Sequence, residues 1–473
     1  MAERDVASAK FASFGIDAET SGPLPDPDPS GFAKRTSTDA NDLAAVRRHE
    51  DAVTFGTVVE VNEEDLSSSG WGIVFAAADP RAEEIENVLT PLIEHRKMQA
   101  GLQFRIFKHD QGVREGDTAE AWLERLGTGL DLVEPAKGVP YYILLVGDLE
   151  QIPAEFQYRL DLYWAVGRLH FDALEAYQNY AANVVRYETA QSVPHRRIAA
   201  VFAPRHLGDQ ATEMFNEMVA APLVATAPLN DFSWEPMLAE AATKAAFSEL
   251  ITGNRDCGLP ALLFSGGHGM AFQPADPLLP ATQGALVCQD WQGLGTKIEA
   301  GHWFAASDLP KGGAAAGAIH LLFACYGGGY SATDTFRDRG TARRIADRPG
   351  IARLLQAMLG RADGGPLAVI AHIDRAFAYS FATLRLGEQA QGFRSVLFGL
   401  MLGRRVGSAL DRFSVKWASI ATQIADLSRS QETAETDRKL LQLWIARDDA
   451  RNYIVFGDPA VRLHPSITKS APR

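Results

Sequence analysis

The chain has 473 residues, 46% of them hydrophobic, enough to bury a large core and to form two or three domain-sized units. Its 46 Lys and Arg against 59 Asp and Glu leave a formal net charge of −13, which opposes binding to phosphate backbones and anionic lipid, so nucleic acid is not an expected partner. No stretch approaches the roughly 18 apolar residues of a membrane span, and the opening residues lack an apolar signal core, so no membrane association is expected and a cytoplasmic location is.

Residues 1–66 carry SGPLPDPDPSG and DANDLAAVRRHED, turn formers mixed with charge, and predict a loosely structured leader whose role is open. From Trp71 the pattern changes to apolar runs separated by helical stretches: WGIVFAAAD, RAEEIENVLTPLIEHRKM, LQFRIFKHD, TAEAWLERL and YYILLVGD. Short apolar runs alternating with amphipathic helices predict parallel strands covered on both faces. A second round opens near Arg197 with RIAAVFAPR and continues through ALLFSGGHG, AIHLLFACYGGG and PLAVIAHID. The fold class expected is therefore α/β, two sequential αβα subdomains with mostly parallel sheets, over residues 67–192 and 193–466. Residues 407–451 read as helical, and the chain closes on NYIVFGDPAVRL.

The chemistry-bearing residues stand at strand ends. ALLFSGGHG predicts a buried strand over Ala261–Phe264 that ends in a glycine turn bearing His268. Open α/β sheets gather their sites at the carboxyl ends of strands, because the loops there converge on one edge. IHLLFACYGGG repeats the arrangement, with Cys325 at the end of a strand over Ile319–Phe323. If the two strands are neighbours, imidazole and thiol face one gap, as a nucleophile and its base require. Attack on a peptide carbonyl builds negative charge on oxygen, and the N–H groups of Gly269 and Cys325 are the expected donors to it, at about 2.7–4 kcal/mol each. Neither glycine run fits a Walker A loop or a dinucleotide fingerprint. Cys257, Cys288 and Cys325 are an odd number with no CxxC spacing, so no disulfide framework and no metal site is expected, and the proposed chemistry needs no cofactor.

An apolar block followed by His268-Gly269, and another followed by Ala324-Cys325, resemble the caspase and gingipain clan of cysteine peptidases. The order of segments over about residues 70–465 is similar to the gingipain family: YILLVGDLEQIP, AVGRL over Ala165–Leu169, and FGDPAVRL match its blocks. The resemblance implies a caspase-like, gingipain-like fold, with a four-stranded sheet followed by a larger one. It also implies a cysteine endopeptidase that cleaves proteins with Cys325 and His268 after Arg or Lys. A basic target needs a buried carboxylate; Asp374, after PLAVIAHI, and Asp172, after AVGRL, are the two candidates. Asp161 is the candidate third catalytic member. Caspase-like zymogens are commonly activated by a cut after the catalytic cysteine. Here YSATDTFRDRGTARRIADRPG, expected to be exposed, offers Arg337, Arg339, Arg343 and Arg344, for the enzyme itself or an upstream protease. A regulated peptidase of this kind suggests bacterial defence. The alternatives are a silent scaffold of the same fold and a cysteine amidohydrolase acting on a small substrate.

Overall fold

The computed structural model describes residues 12–27, 56–338, 341–378, 381–383, 387–388, 391–427 and 433–468. Ten strands form the central sheet: β1 (Trp71–Phe75), β2 (Phe104–Phe107), β3 (Tyr142–Val146), β4 (Ala165–Leu169), β5 (Arg196–Ala203), β6 (Ser233–Leu238), β7 (Pro260–Gly266), β8 (Ile319–Phe323), β9 (Ala368–His372) and β10 (Tyr453–Gly457). Their order is β2-β1-β3-β4-β10-β9-β8-β7-β5-β6. All neighbours are parallel except β9 and β10.

The expected mostly parallel α/β architecture is present, but as one continuous sheet rather than two in succession. Two half-sheets of opposite direction meet at the β9–β10 seam, with His372 opposite Tyr453 and Ala368 opposite Gly457. Strands such as YILLV and AVIAH are buried along their whole length because helices cover both faces, while edge strands β2 and β6 are half exposed. Helix α1 (Ala82–Ala100) packs beside α2 (Leu174–Thr189) on the first half. The short helix α3 (Gln210–Phe215) follows β5. The segment read as helical before the last strand forms α4 (Asp411–Leu427) and α5 (Ala434–Arg451), packed together.

A buried polar cluster fixes β10 at the seam. Asp458 accepts from Trp71 Nε1 at 2.9 Å and Arg96 Nε at 2.6 Å, and Arg96 also pairs with Glu188 at 2.7 Å. Tyr180 Oη accepts from the Asp458 amide at 2.6 Å and donates to the Leu367 carbonyl at 2.8 Å. Removing one partner of such a cluster leaves an uncompensated buried charge, a loss of about 3–5 kcal/mol.

The leader departs from expectation. Residues 12–27 are built into the fold, with Phe14, Ile16 and Leu24 buried and Gly15–Asp17 paired in parallel with Gly269–Ala271. Residues 1–11 and 28–55 lie outside the described residues.

Candidate active site

Strand register brings the sequence candidates together. Phe323 pairs with Gly266, so two residues further on Cys325 runs alongside His268, and the Gly267 amide donates to the Phe323 carbonyl at 3.0 Å. Past Gly266 and Phe323 both chains leave the central sheet in glycine-containing turns. Gly269 is required by close approach: a Cβ there would lie 1.9 Å from the Cys325 carbonyl oxygen.

His268 is fully buried, and its Nε2 bonds Asp209 Oδ2 at 2.6 Å. Asp209 is also the N-cap of α3, accepting from the Thr212 hydroxyl at 2.6 Å. Burial alone would raise the Asp209 pKa, but the His268 charge and hydrogen bond, with Thr212, hold it well below the usual carboxylate range. With Nε2 engaged, Nδ1 has no hydrogen-bond partner among the described residues and is the nitrogen left for a reacting group. His206 stacks on His268 with centroids 6.4 Å apart, and burial and the neighbouring imidazole push its pKa down to about 4. Its Nε2 faces the Cys288 carbonyl at 3.2 Å, so the hydrogen bond to Asp209 is left to His268.

The Cys325 thiol is fully buried. It donates to the Ala376 carbonyl at 3.4 Å, accepts from the Ala376 amide at 3.1 Å and lies 3.7 Å from Ser13 Oγ. Burial pushes its pKa up to about 12, against the opposing charge of Arg375 and the Ala376 amide. In this state the sulfur is a thiol at neutral pH, not the thiolate that attacks carbonyls.

The residues that seal it belong to the leader. The Phe14 carbonyl oxygen accepts from Gly269 N at 2.9 Å and Cys325 N at 3.2 Å, the two amides expected to receive an oxyanion. The Phe14 amide donates to Ala376 O at 2.9 Å, and Ala378 N donates to Ala12 O at 3.3 Å, with Ser13 bridged antiparallel to Phe377. Beyond Phe14 the chain runs on as a strand beside Gly269–Ala271. Residues 12–17 thus run between the Gly269, Cys325 and Ala376–Ala378 backbones, bent at Phe14 and extended over Gly15–Asp17. The rim they pair with is held from behind by Asp449 on α5, which accepts from Phe377 N at 2.8 Å.

Phe14's side chain is fully buried against Phe323 (centroids 4.5 Å apart), Phe381 (6.0 Å), Phe215 (6.1 Å) and the His268 ring (5.9 Å). Space for Phe215 exists because Gly266 has no side chain, where a Cβ would fall 2.0 Å from Phe215 Cζ. Burying such a side chain contributes about 1.5–3 kcal/mol.

The remaining candidates have other partners. Asp374 follows β9 on the edge that carries Cys325, but its oxygens accept from Ser331 N and Oγ, each at 2.6 Å. Burial raises its pKa to about 7, against those hydrogen bonds. Asp172 follows β4, whose carboxyl end points to the opposite edge of the antiparallel half-sheet; it is exposed and pairs with Arg353 at 2.9 Å. Asp161 ends the helix Ala154–Leu160, its amide donating to Gln157 O at 2.9 Å, and the carboxylate on His268 is instead Asp209. The arginine-rich segment folds into a hairpin, Thr333–Asp338 with Thr341–Arg344. Arg343 Nη2 reaches Asp17 of the leader at 3.5 Å, Arg344 is exposed and pairs with Asp347, and Arg339 lies outside the described residues, as does the side chain of Arg337. Among the described residues no acidic, His or Cys cluster could hold a metal, and no helix is long and apolar enough to cross a membrane.

Fold and site together define an α/β protein in which Cys325 and the hydrogen-bonded His268–Asp209 pair follow neighbouring parallel strands, with residues 12–17 bonded to both turns. No family model and no curated protein matches the sequence. Solved structures similar to it include one described as a protease, at 14% identity and TM-score 0.48, over 83% of this chain and 78% of that one. Another is the Arg-specific cysteine proteinase gingipain R, at 13% identity and TM-score 0.44, over 86% and 80%. A third is a complex of the pro- and mature domains of RgpB from Porphyromonas gingivalis, at 13% identity and TM-score 0.42, over 83% and 79%.

Proposed function

We propose that the chain is a cysteine endopeptidase, here in a latent form whose cleft is occupied by residues 12–17. One observation carries this reading: the amides of Gly269 and Cys325 converge on a single peptide carbonyl, that of Phe14, beside the Cys325 thiol. That is the arrangement needed to hold an oxyanion during attack on a peptide bond.

In the working form the leader gives way to a substrate peptide. His268 Nδ1 takes the Cys325 proton, and Asp209 on Nε2 stabilises the imidazolium. Sulfur bonds to the carbonyl carbon, and the tetrahedral oxyanion is held by the two amides. As it collapses, the C–N bond breaks and His268 returns the proton to the leaving amine. Water, deprotonated by His268, then attacks the thioester, giving a carboxylate and restoring the thiol.

Control in this reading lies in the leader, because it both blocks the cleft and keeps the thiol protonated. A cut in the hairpin that bears Arg337, Arg339, Arg343 and Arg344 would act through the Arg343–Asp17 contact. With the leader displaced by Phe14→Ala, a peptidyl chloromethyl ketone separates the peptidase from the alternatives. The expected result is a single adduct on Cys325 that requires His268. A scaffold would give none, and an amidohydrolase for small substrates would react with the acyl headgroup but not with the extended peptide.

A further inference from the structure

Resting on that reading, we infer that the subsite for the residue on the acyl side of the cut is an aromatic box selective for phenylalanine, built by Phe215, Phe323 and Phe381. The residue whose carbonyl sits between the two amides defines the acyl side, and here it is Phe14. Its ring meets Phe215, Phe323 and Phe381 at interplanar angles of 76°, 65° and 74°. Three edge-to-face contacts set positive ring edges against negative faces, a preference that an aliphatic side chain of equal volume does not satisfy.

Charge decides against a basic residue. A guanidinium placed there would bring five N–H donors among three phenylalanine rings, which offer no conventional acceptor. Of the nearby carboxylates, Asp209 is spent on His268 and Thr212 and Asp449 on Phe377 N and His372, while Asp374 accepts from Ser331 and Asp172 pairs with Arg353. Cation–π attraction to the rings does not offset the desolvation of a buried, otherwise unpaired cation. An acidic side chain lacks even that. Tyrosine fits the rings but buries a hydroxyl among them, so it should rank below phenylalanine. One consequence concerns activation: the enzyme would not cut its own arginine-rich hairpin, and any cut there would come from a protease of different preference.

The leader serves as a built-in reporter of the box. In the full chain, Phe14 is replaced by Tyr, Leu or Arg, and the iodoacetamide alkylation rate of Cys325 is followed by peptide mapping, with Cys257 as the internal reference. Protection should fall in the order Phe, Tyr, Leu, Arg, with Phe14→Arg alkylated at least about 100-fold faster than the parent. If Phe14→Arg protects Cys325 as well as or better than the parent, the box selects cations and the inference is overturned. The Phe14→Ala chain is then given peptides differing only in one residue, Phe or Arg. Faster cleavage after Phe supports the inference, and faster cleavage after Arg overturns it. Cleavage of neither, with the alkylation order intact, sinks the peptidase reading while the aromatic box stands as a binding site.

Discussion

Asp209 Oδ2 and His268 Nε2 lie 2.6 Å apart, and this contact leaves Nδ1, which has no hydrogen-bond partner among the described residues, as the imidazole nitrogen open to a reacting group. Asp209→Asn should keep the α3 cap, since an amide oxygen can still accept from Thr212, but it loses the charge that stabilises the imidazolium. Peptide cleavage should fall by about 10²–10⁴-fold with little change in KM. The acid limb of the kcat/KM pH profile should also move. An unchanged profile would reduce Asp209 to a helix cap.

Phe14→Ala removes the buried side chain that anchors the leader, a truncation costing about 3–5 kcal/mol in a rigid core. Because residues 12–17 are held by the cleft rim rather than by the central sheet, the loss should appear as undocking instead of global unfolding. The Cys325 pKa, held at about 12 by burial, should then fall toward the ordinary thiol range. Alkylation of the parent should stay slow through pH 9, while the variant should react faster and titrate at lower pH. Identical pH profiles would mean that the leader does not seal the thiol.

Asp374 provides a pH test separate from catalysis. Its folded pKa of about 7 lies above the ordinary 3.8, so between those values the folded chain holds a proton that the unfolded chain has released. The unfolded state then binds fewer protons, and stability falls as pH rises from about 4 to about 7. Asp374→Asn keeps an acceptor for Ser331 N and removes that penalty. Its urea midpoint should exceed the parent's at pH 8 and converge with it near pH 4, with the preference for Phe over Arg unchanged. A change in that preference would return Asp374 to the specificity pocket.

The Arg343–Asp17 contact spans 3.5 Å and its arginine is about one-third exposed, so solvent screens it. Such pairs contribute about 0.2–1 kcal/mol. Arg343→Ala should therefore speed Cys325 alkylation by no more than about fivefold, against the far larger effect of Phe14→Ala. A larger effect would make the hairpin the main latch.

His268, Cys325 and the two amides could be read from sequence because each closes a short apolar run with a glycine turn, and parallel register then sets them side by side. Asp209 could be read only as an N-cap, in GDQATE: 59 positions separate it from His268, and only the β5–β7 pairing closes that gap. The leader did carry a signal, the two-residue alternation of Ala12, Phe14 and Ile16, outweighed by the turn formers that follow. Its binding site is made of backbone from three distant loops, which no residue pattern announces. The single ten-stranded sheet was hidden for a similar reason, since joining the halves depends on the last strand, Tyr453–Gly457, inserting between β4 and β9.

The central claim is that Cys325 cuts peptide bonds once the leader is out of the cleft. Its most direct test is mass spectrometry of a denatured protein incubated with the Phe14→Ala chain, alongside the same chain carrying Cys325→Ala or His268→Ala. The account predicts discrete new termini with the first chain and none with the other two, all three remaining folded. Fragments that persist without Cys325, or that need Cys257 or Cys288 instead, would contradict it, as would an intact substrate in every tube.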